Sequence, residues 1–193
     1  MARTKEFDPD AALQRALELF WERGYEATSM TDLVEHLGVA RASIYATFGG
    51  KHELYLKALQ RYLENTDPVI MTGLSQPGPA LPAVRSLLER YVEEVITDER
   101  RLGCMVVNAA VETAPRDAAA ARFVEASWAH LEAALTSALI RAQVQGELAG
   151  DADPRALARF LLVFFQGLRV LGRAPVDAGR LRDAARQALA LLS

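Results

Sequence analysis

The chain has 193 residues, of which 51% are apolar, so it is long enough to bury a core and too apolar to be disordered throughout. Its formal net charge of −3 argues mildly against a nucleic-acid partner, but DNA responds only to the charge of the face that it touches. Between His36 and His52 there is no acidic residue and there are two cations, Arg41 and Lys51, as a phosphate-facing segment requires. The single cysteine, Cys104, excludes an intrachain disulfide. The N-terminus lacks a signal-peptide pattern and no apolar run could span a bilayer, so we expect a soluble cytoplasmic protein without a membrane partner.

Capping residues and apolar spacing predict two helices at the start of the chain. Asp8 suits the N-cap of the first helix, and Gly24 supplies the left-handed residue that ends it. A second, short helix is predicted over Met30–Leu37, with Thr28 or Ser29 as its N-cap.

A third short helix is predicted over Arg41–Thr47, with Ile44 and Phe48 four residues apart on its inner face. It follows the second helix across a tight turn at Gly38. Two short helices joined in this way form a helix-turn-helix, whose second helix presents its N-terminal half to base edges in the major groove. Such turns also occur in helical proteins of other functions, so the spacing alone leaves DNA binding open.

The rest of the chain predicts longer helices. The fourth starts near Lys51, extends toward Leu74 and is bent at Pro68. Gly73 to Pro82 is predicted to be a loop because it is rich in glycine and proline. We find no strand pattern, so the predicted fold is all-α with about nine helices. The later helices are expected at about 81–97, 102–114, 116–146, 154–172 and 177–192.

Three stretches of the sequence closely resemble the N-terminal domain of the TetR/AcrR family of regulators. The resemblance runs without a gap over about residues 3–60 and is carried by Arg3 to Asp10, Ala16 to Met30 and Leu37 to Leu54. It implies a ligand-responsive dimeric repressor that binds a palindromic operator in the major groove and is released by a small-molecule effector. It also implies a helix-turn-helix domain, here 1–52, and a helical effector-binding and dimerisation domain, here 53–193.

Carried over position by position, the family's DNA contacts fall on residues of the second and third helices and the start of the fourth. Ala46 and Thr47 depart from the family pattern, because many members carry large polar or aromatic groups there. DNA affinity is then expected to depend more on an N-terminal arm containing Arg3 and Lys5, although a frayed, solvated terminus is the alternative. The same departure leaves open a helical binding protein with a vestigial DNA domain. The remaining expected contacts are Thr28, Ser29, Arg41, Ala42, Ser43, Tyr45, Thr47 and Lys51.

Arg101 to Glu112 resembles a motif in one branch of the family, and it places Cys104 at a helix N-terminus behind Arg100 and Arg101. A helix N-terminus and nearby arginines each favour the thiolate form of a cysteine, so a thiol-based electrophile or oxidant sensor is one interpretation. The other is that Cys104 is a small buried apolar residue.

An effector pocket is expected among polar and aromatic residues of the C-terminal half, each of which is also compatible with an ordinary core or surface position. These are Tyr91, Cys104, Met105, Asn108, Glu112, Phe123, Trp128, His130 and Phe164. The last two helices are expected to form the dimer, because the run from Phe160 to Phe165 is apolar around the whole helix. The expected interface residues are Phe160, Phe164, Gly167, Leu168, Leu171, Leu181, Ala185 and Leu189.

An enzyme with Cys104 as nucleophile and His36, His52 or His130 as base is the main rival. His36 and His52 lie on either side of the predicted third helix and belong to the helix-turn-helix domain, whereas Cys104 belongs to the C-terminal domain. The sequence has no glycine-rich phosphate loop, no ligand-spaced metal cluster and no paired-carboxylate arrangement. We therefore predict a protein that is not an enzyme and needs neither metal nor cofactor.

Overall fold

The structure is a computed structural model and describes residues 7–192. Within that range the chain forms nine α-helices and no strand, which confirms the predicted all-α fold. None of the helices in this range is long and apolar enough to cross a membrane. The helices are α1 (Pro9–Arg23), α2 (Met30–Leu37), α3 (Arg41–Phe48), α4 (Lys51–Ser75), α5 (Ala80–Thr97), α6 (Met105–Glu112), α7 (Ala118–Val144), α8 (Pro154–Leu171) and α9 (Ala178–Ala190).

Local capping sets the ends of the first helices, as predicted. The Asp8 carboxylate accepts the backbone N–H of Asp10 at 2.9 Å and so begins α1. Ser29, rather than Thr28, is the N-cap of α2, and it forms a capping box with Asp32.

The predicted loop from Gly73 to Pro82 is wrong at both ends, because only residues 76–79 separate α4 from α5. Leu74 is buried in the core of the C-terminal domain, and this packing holds the end of α4 in helical form despite Gly73. Pro82 lies in the first turn of α5. Backbone N–H groups in that turn have no intrahelical acceptor, so the N–H that proline lacks costs no hydrogen bond there.

Helix α6 is shorter than the predicted 102–114 and begins only at Met105. The carboxylate of Asp98 accepts the backbone N–H groups of Arg101 and Leu102, both at 3.0 Å. Gly103 then has a φ of +64°, which an α-helix cannot contain. This local turn holds the chain out of the helix until Cys104, the N-cap of α6.

The buried apolar residues form two clusters, and α4 and α7 contribute residues to both. One contains α1, α2, α3 and the first half of α4, together with Met105, Val106 and Ala109 of α6. The other contains the end of α4 and helices α5, α7, α8 and α9. Helix α4 therefore connects the helix-turn-helix to the bundle behind it, and α6, which packs in the first cluster, also contacts α7 and α8. The predicted domain boundary between residues 52 and 53 stays a prediction.

Candidate nucleic-acid interface

The turn between α2 and α3 has the geometry of a helix-turn-helix. Gly38 has a φ of +65°, a left-handed conformation that a side chain would strain. Val39 follows as a buried apolar residue, and Ile44 and Phe48 fix the inner face of α3 in the core. The opposite face of α3 is therefore left on the surface.

That outer face carries the predicted contact residues. Arg41, Ala42, Tyr45 and Thr47 are exposed, and Ser43 is half-buried. The guanidinium of Arg41 lies 5.9 Å from the centre of the Tyr45 ring, so the cation and the phenol occupy the same patch. Helix α3 has no side-chain cap at Ala40, and no acceptor among residues 7–192 meets the backbone N–H groups of Arg41 and Ala42, so these two can bind an anion.

The predicted contact by Thr28 is wrong for its side chain. Thr28 is 0% exposed, and its hydroxyl donates a hydrogen bond to the backbone oxygen of Gly24 at 2.6 Å. This bond connects the end of α1 to the start of α2. Ser29 is exposed but already serves as the N-cap. Lys51 is half-buried with its ammonium 4.2 Å from the centre of the Tyr25 ring, at the N-terminus of α4. Arg3 and Lys5 lie outside the described residues.

Glu112, at the end of α6, binds the segment that leads into the helix-turn-helix. Its carboxylate accepts the backbone N–H of Tyr25 at 3.0 Å and that of Glu26 at 2.9 Å. A Cβ atom on Gly24 would lie 2.8 Å from the same carboxylate, so this close approach needs glycine. Glu112 lines a groove between α1, α6 and α8, and its two hydrogen bonds also link α6 to the turn after α1. Its predicted place in an effector pocket stays a prediction.

Further polar contacts join the same two parts of the chain. The indole N–H of Trp21 donates to the backbone oxygen of Gly103 at 3.2 Å. In the turn after α6, Asp117 lies 2.5 Å from His52 Nε2. Hydrogen bonds from the Ala120 backbone, and then the one to His52, hold the pKa of Asp117 below its ordinary value. The segment from Gly103 to Asp117 thus contacts α1, the α1–α2 turn and α4.

Comparison with known proteins matches both halves of the chain. Residues 12–58 match the model of bacterial regulatory proteins of the tetR family, and residues 80–190 match the tetracyclin repressor-like C-terminal domain. The chain belongs to the TetR family of transcriptional regulators. Because such proteins are not enzymes, the rival with Cys104 as nucleophile is excluded.

Several relatives of this TetR-family chain match it over almost its whole length. The HTH-type transcriptional regulator YezE of Bacillus subtilis is 40% identical, with 100% of both chains covered. The HTH-type transcriptional repressor ComR of Escherichia coli is 32% identical, with 98% of this chain and 90% of ComR covered. A cysteine mutant of the regulator CifR, solved with a 26-base-pair operator DNA, is 33% identical, with 98% of each chain covered and a TM-score of 0.85.

The residues predicted for the effector pocket of this TetR-family protein do not line one cavity. Tyr91, Trp128 and His130 line a small cavity, with a volume of about 50 Å³, whose walls come from α4, α5, α6, α7 and α8. Asn108 lines a separate groove between α1, α6 and α8, and its side-chain amide donates to the backbone oxygen of Leu102 at 3.0 Å. Met105 is buried in the N-terminal core, Phe123 packs against the same core and Phe164 packs against the C-terminal core.

Cys104 is half-buried, and its charged neighbour is not the one expected from the sequence. Arg100 pairs with Glu22 at 3.6 Å and Arg101 is exposed. The cation that interacts electrostatically with Cys104 and with the neighbouring Tyr62 is instead Arg169 of α8. Burial, and then the neighbouring Cys104, raise the pKa of Tyr62 well above its ordinary value, whereas Arg169 lowers it. Sequence reasoning missed Arg169 because it lies two helices later in the chain.

The predicted dimer residues divide between the core and the surface. Leu168, Leu181 and Ala185 are buried within the monomer, so the prediction that they form an interface is wrong. Phe160, Gly167 and Leu171 are exposed, and Phe164 and Leu189 are half-buried. Val163 and Val170, which were not predicted, are exposed apolar residues of α8. A spacing of three, four and three residues from Phe160 through Val163 and Gly167 to Val170 puts these residues on one helical face, but the apolar run gave no sign that this face is the exposed one.

Proposed function

We propose that the protein is a ligand-responsive dimeric repressor that binds a palindromic operator through α3 and is released by a small-molecule effector. The observation that carries the proposal is the outer face of α3. It exposes Arg41, Ala42, Tyr45 and Thr47 opposite a buried inner face, with no acidic residue between His36 and His52.

Each of these groups has a specific role at a DNA surface. Arg41 can bind phosphate or guanine, and the Ser43 and Thr47 hydroxyls can bind a base edge or phosphate. Tyr45 is 47% exposed and can donate its hydroxyl to phosphate. Ala42 offers a methyl group and the free N–H groups of the helix start. Lys51 adds a cation at the N-terminus of α4.

The relatives support repression and operator binding. ComR is named a transcriptional repressor, and CifR was solved with operator DNA. A dimer presents two copies of α3, which must lie about one helical turn of DNA apart to enter both major grooves. In this chain the exposed face of α8 around Val163 is the surface that we assign to the dimer.

We propose that the effector shifts the population between two conformations, which differ in how the domains 1–52 and 53–193 are arranged. Helices α4 and α6 join these domains, and Glu112 holds the α1–α2 turn. An effector that binds better to the conformation with separated α3 helices depopulates the DNA-bound form.

Binding to DNA from the upstream region of the protein's own gene tests the proposal. Fluorescence anisotropy at several salt concentrations should give an affinity that falls steeply as salt rises, because bound cations release counterions. Arg41→Ala and Tyr45→Ala should each weaken binding by about tenfold or more. Arg182→Ala, which removes an exposed cation on α9, is the matched control and should bind as the parent protein does. Unchanged affinity in both α3 variants would contradict the proposal.

A second candidate is release of DNA by oxidation or alkylation of Cys104. The observation in its favour is that Cys104 starts α6, the helix whose other end carries the Glu112 contact. The guanidinium of Arg169 interacts electrostatically with the group that contains Cys104, Tyr62 and Tyr91. A modified thiol in this half-buried position would displace α6 and with it the α1–α2 turn.

Treatment with a quinone or with hypochlorite tests this second candidate. DNA release by either reagent in the parent protein and its loss in Cys104→Ser would support thiol sensing. Equal release from Cys104→Ser would exclude it and leave the small-molecule proposal intact.

A further inference from the structure

Two alanines lie on the side of α3 that is directed furthest from the protein core. With about 100° of rotation per residue, Ala42 and Ala46 each lie about 160° from the buried Ile44 around the helix axis. Both alanines are exposed, and they are one helical turn apart on the same face. When α3 lies in the major groove with its outer face toward DNA, these two residues are the ones that reach the floor of the groove.

The larger side chains of α3 lie on its flanks. Arg41 and Tyr45 form one flank, where the guanidinium lies 5.9 Å from the ring centre. A Cβ atom on Gly50 would lie 3.4 Å from the ring atom Cε1 of Tyr45, so the ring packs against the turn before α4 and not across the alanines. Ser43 and Thr47 form the other flank. The side chains that can hydrogen-bond to DNA are therefore on the flanks, and the centre of the face carries only methyl groups.

A methyl group at the floor of the major groove can distinguish bases in one way. It neither donates nor accepts a hydrogen bond, and the apolar group that a base pair presents there is the 5-methyl group of thymine. Contact between two methyl groups removes apolar surface from water. A base amino group placed against an alanine instead loses its water without gaining a partner. The centre of α3 therefore favours thymine over the other bases.

The small size of these two residues also brings α3 close to the base pairs. A helix with its side chains is about 10–12 Å across, which is close to the width of about 12 Å of the major groove. Alanines at its leading edge make α3 narrower there, so it can enter more deeply. The small residue at Ala46, which departs from the family pattern, then permits a closer approach. Four residues of helix advance by about 6 Å, which corresponds to about two base-pair steps.

We propose that Ala42 and Ala46 contact thymine 5-methyl groups, so that each half-site of the operator has about two neighbouring A·T pairs under the centre of α3. The inference rests on the proposed operator binding and adds the base that the recognition helix selects. The cations Arg41 and Lys51 then supply affinity that does not depend on sequence, and the two alanines supply the selection.

Selection from a library of duplexes with a random core of about 20 base pairs identifies an operator without knowledge of its genomic position. Each thymine of the selected duplex is then replaced in turn by deoxyuridine, which differs only in lacking the 5-methyl group. Fluorescence anisotropy should show about fourfold weaker binding at two neighbouring thymines of each half-site, because one buried methyl contact is lost. Thymines between the half-sites are the matched control and should tolerate deoxyuridine.

Ala46→Gly connects this loss to the side chain. In the variant, thymine and deoxyuridine should bind equally at the position that Ala46 contacts. Ala126→Gly, at an exposed alanine of α7, is the matched control and should keep the difference of about fourfold. Ala42→Gly gives the same comparison at the other methyl group, and circular dichroism measures the helix content of each variant. The deoxyuridine series with the parent protein needs no substitution, so it decides even if a glycine variant does not fold.

Equal binding of all deoxyuridine duplexes by the parent protein would overturn the inference and leave the proposed repressor intact. A selected operator with G·C pairs at the centre of each half-site would do the same. A loss that persists unchanged in both glycine variants of α3 would also overturn it, since another group would then contact the methyl. No enrichment from the library, with a DNA affinity that is independent of sequence, would contradict the operator binding on which the inference rests.

Discussion

The carboxylate of Glu112 accepts the backbone N–H of Tyr25 across 87 positions of the chain, at 3.0 Å. With its second oxygen it accepts the N–H of Glu26, so one side chain of α6 satisfies two backbone donors at the entrance to the helix-turn-helix. A carboxylate in this position is a charge-assisted acceptor, and such bonds are stronger than neutral ones. This contact fixes where α6 ends relative to α2.

Glu112→Ala leaves both N–H groups without their acceptor. We expect the free energy of unfolding to fall by about 1–3 kcal/mol, because the donors lose a hydrogen bond to a charged group. Urea denaturation measures this change, and hydrogen exchange should show faster exchange of the Tyr25 and Glu26 amides. Glu125→Gln on the exposed side of α7 is the control. Unaltered exchange at both amides in Glu112→Ala would contradict the contact.

Gly24→Ala tests the close approach to the same carboxylate. Gly24 has a φ of +88°, and its added Cβ would lie 2.8 Å and 2.9 Å from the two carboxylate oxygens. We expect a loss of about 1–3 kcal/mol from backbone strain, with the clash adding to it. In the Glu112→Ala background the clash disappears and only the strain remains. A double-mutant cycle should therefore give a smaller cost there. Additive costs would show that Glu112 does not crowd Gly24.

Asp117→Asn tests the contact between α7 and His52 through its pH dependence. The folded-state pKa of Asp117 lies below 3.8, so the ionised carboxylate stabilises the fold above that pH. This contribution is lost as the pH falls through the folded-state pKa. Asparagine still caps α7 but carries no charge. We expect the parent protein to be more stable than Asp117→Asn at neutral pH, with the difference shrinking below pH 3.8. If the stability difference between the parent protein and Asp117→Asn stays constant until both unfold in acid, the ionised Asp117 carboxylate does not stabilise the fold in this way.

The exposed face of α8 should determine the oligomeric state. Val163 is 71% exposed and lies between Phe160 and Gly167. Val163→Glu introduces a charge that a dimer would bury without a partner, so we expect dissociation to monomers. Light scattering coupled to size-exclusion chromatography measures the mass. Val69→Glu, at an exposed valine of α4, should leave the mass unchanged. A dimeric Val163→Glu protein would place the interface elsewhere.

Local features of the fold were predictable because they depend on residues close in sequence. The N-cap at Asp8, the left-handed turn at Gly38 and the inner face of α3 at Ile44 each follow from residues within one helical turn. The failed loop at Gly73 shows the limit of this reasoning. Burial of Leu74 in a distant core outweighed the low helix propensity of its neighbour.

The family and the outer face of the recognition helix were thus determined by the sequence itself, since motif, capping and apolar spacing are local properties. Only the tertiary structure decided that Thr28 is buried, that Glu112 faces Tyr25 and that Arg169 lies near Cys104. It also decided which side of α8 is covered around the apolar run from Phe160 to Phe165, since the apolar residues of that region lie on all sides of the helix. The physical reason is that burial and hydrogen-bond partners are set by how helices far apart in sequence pack against one another.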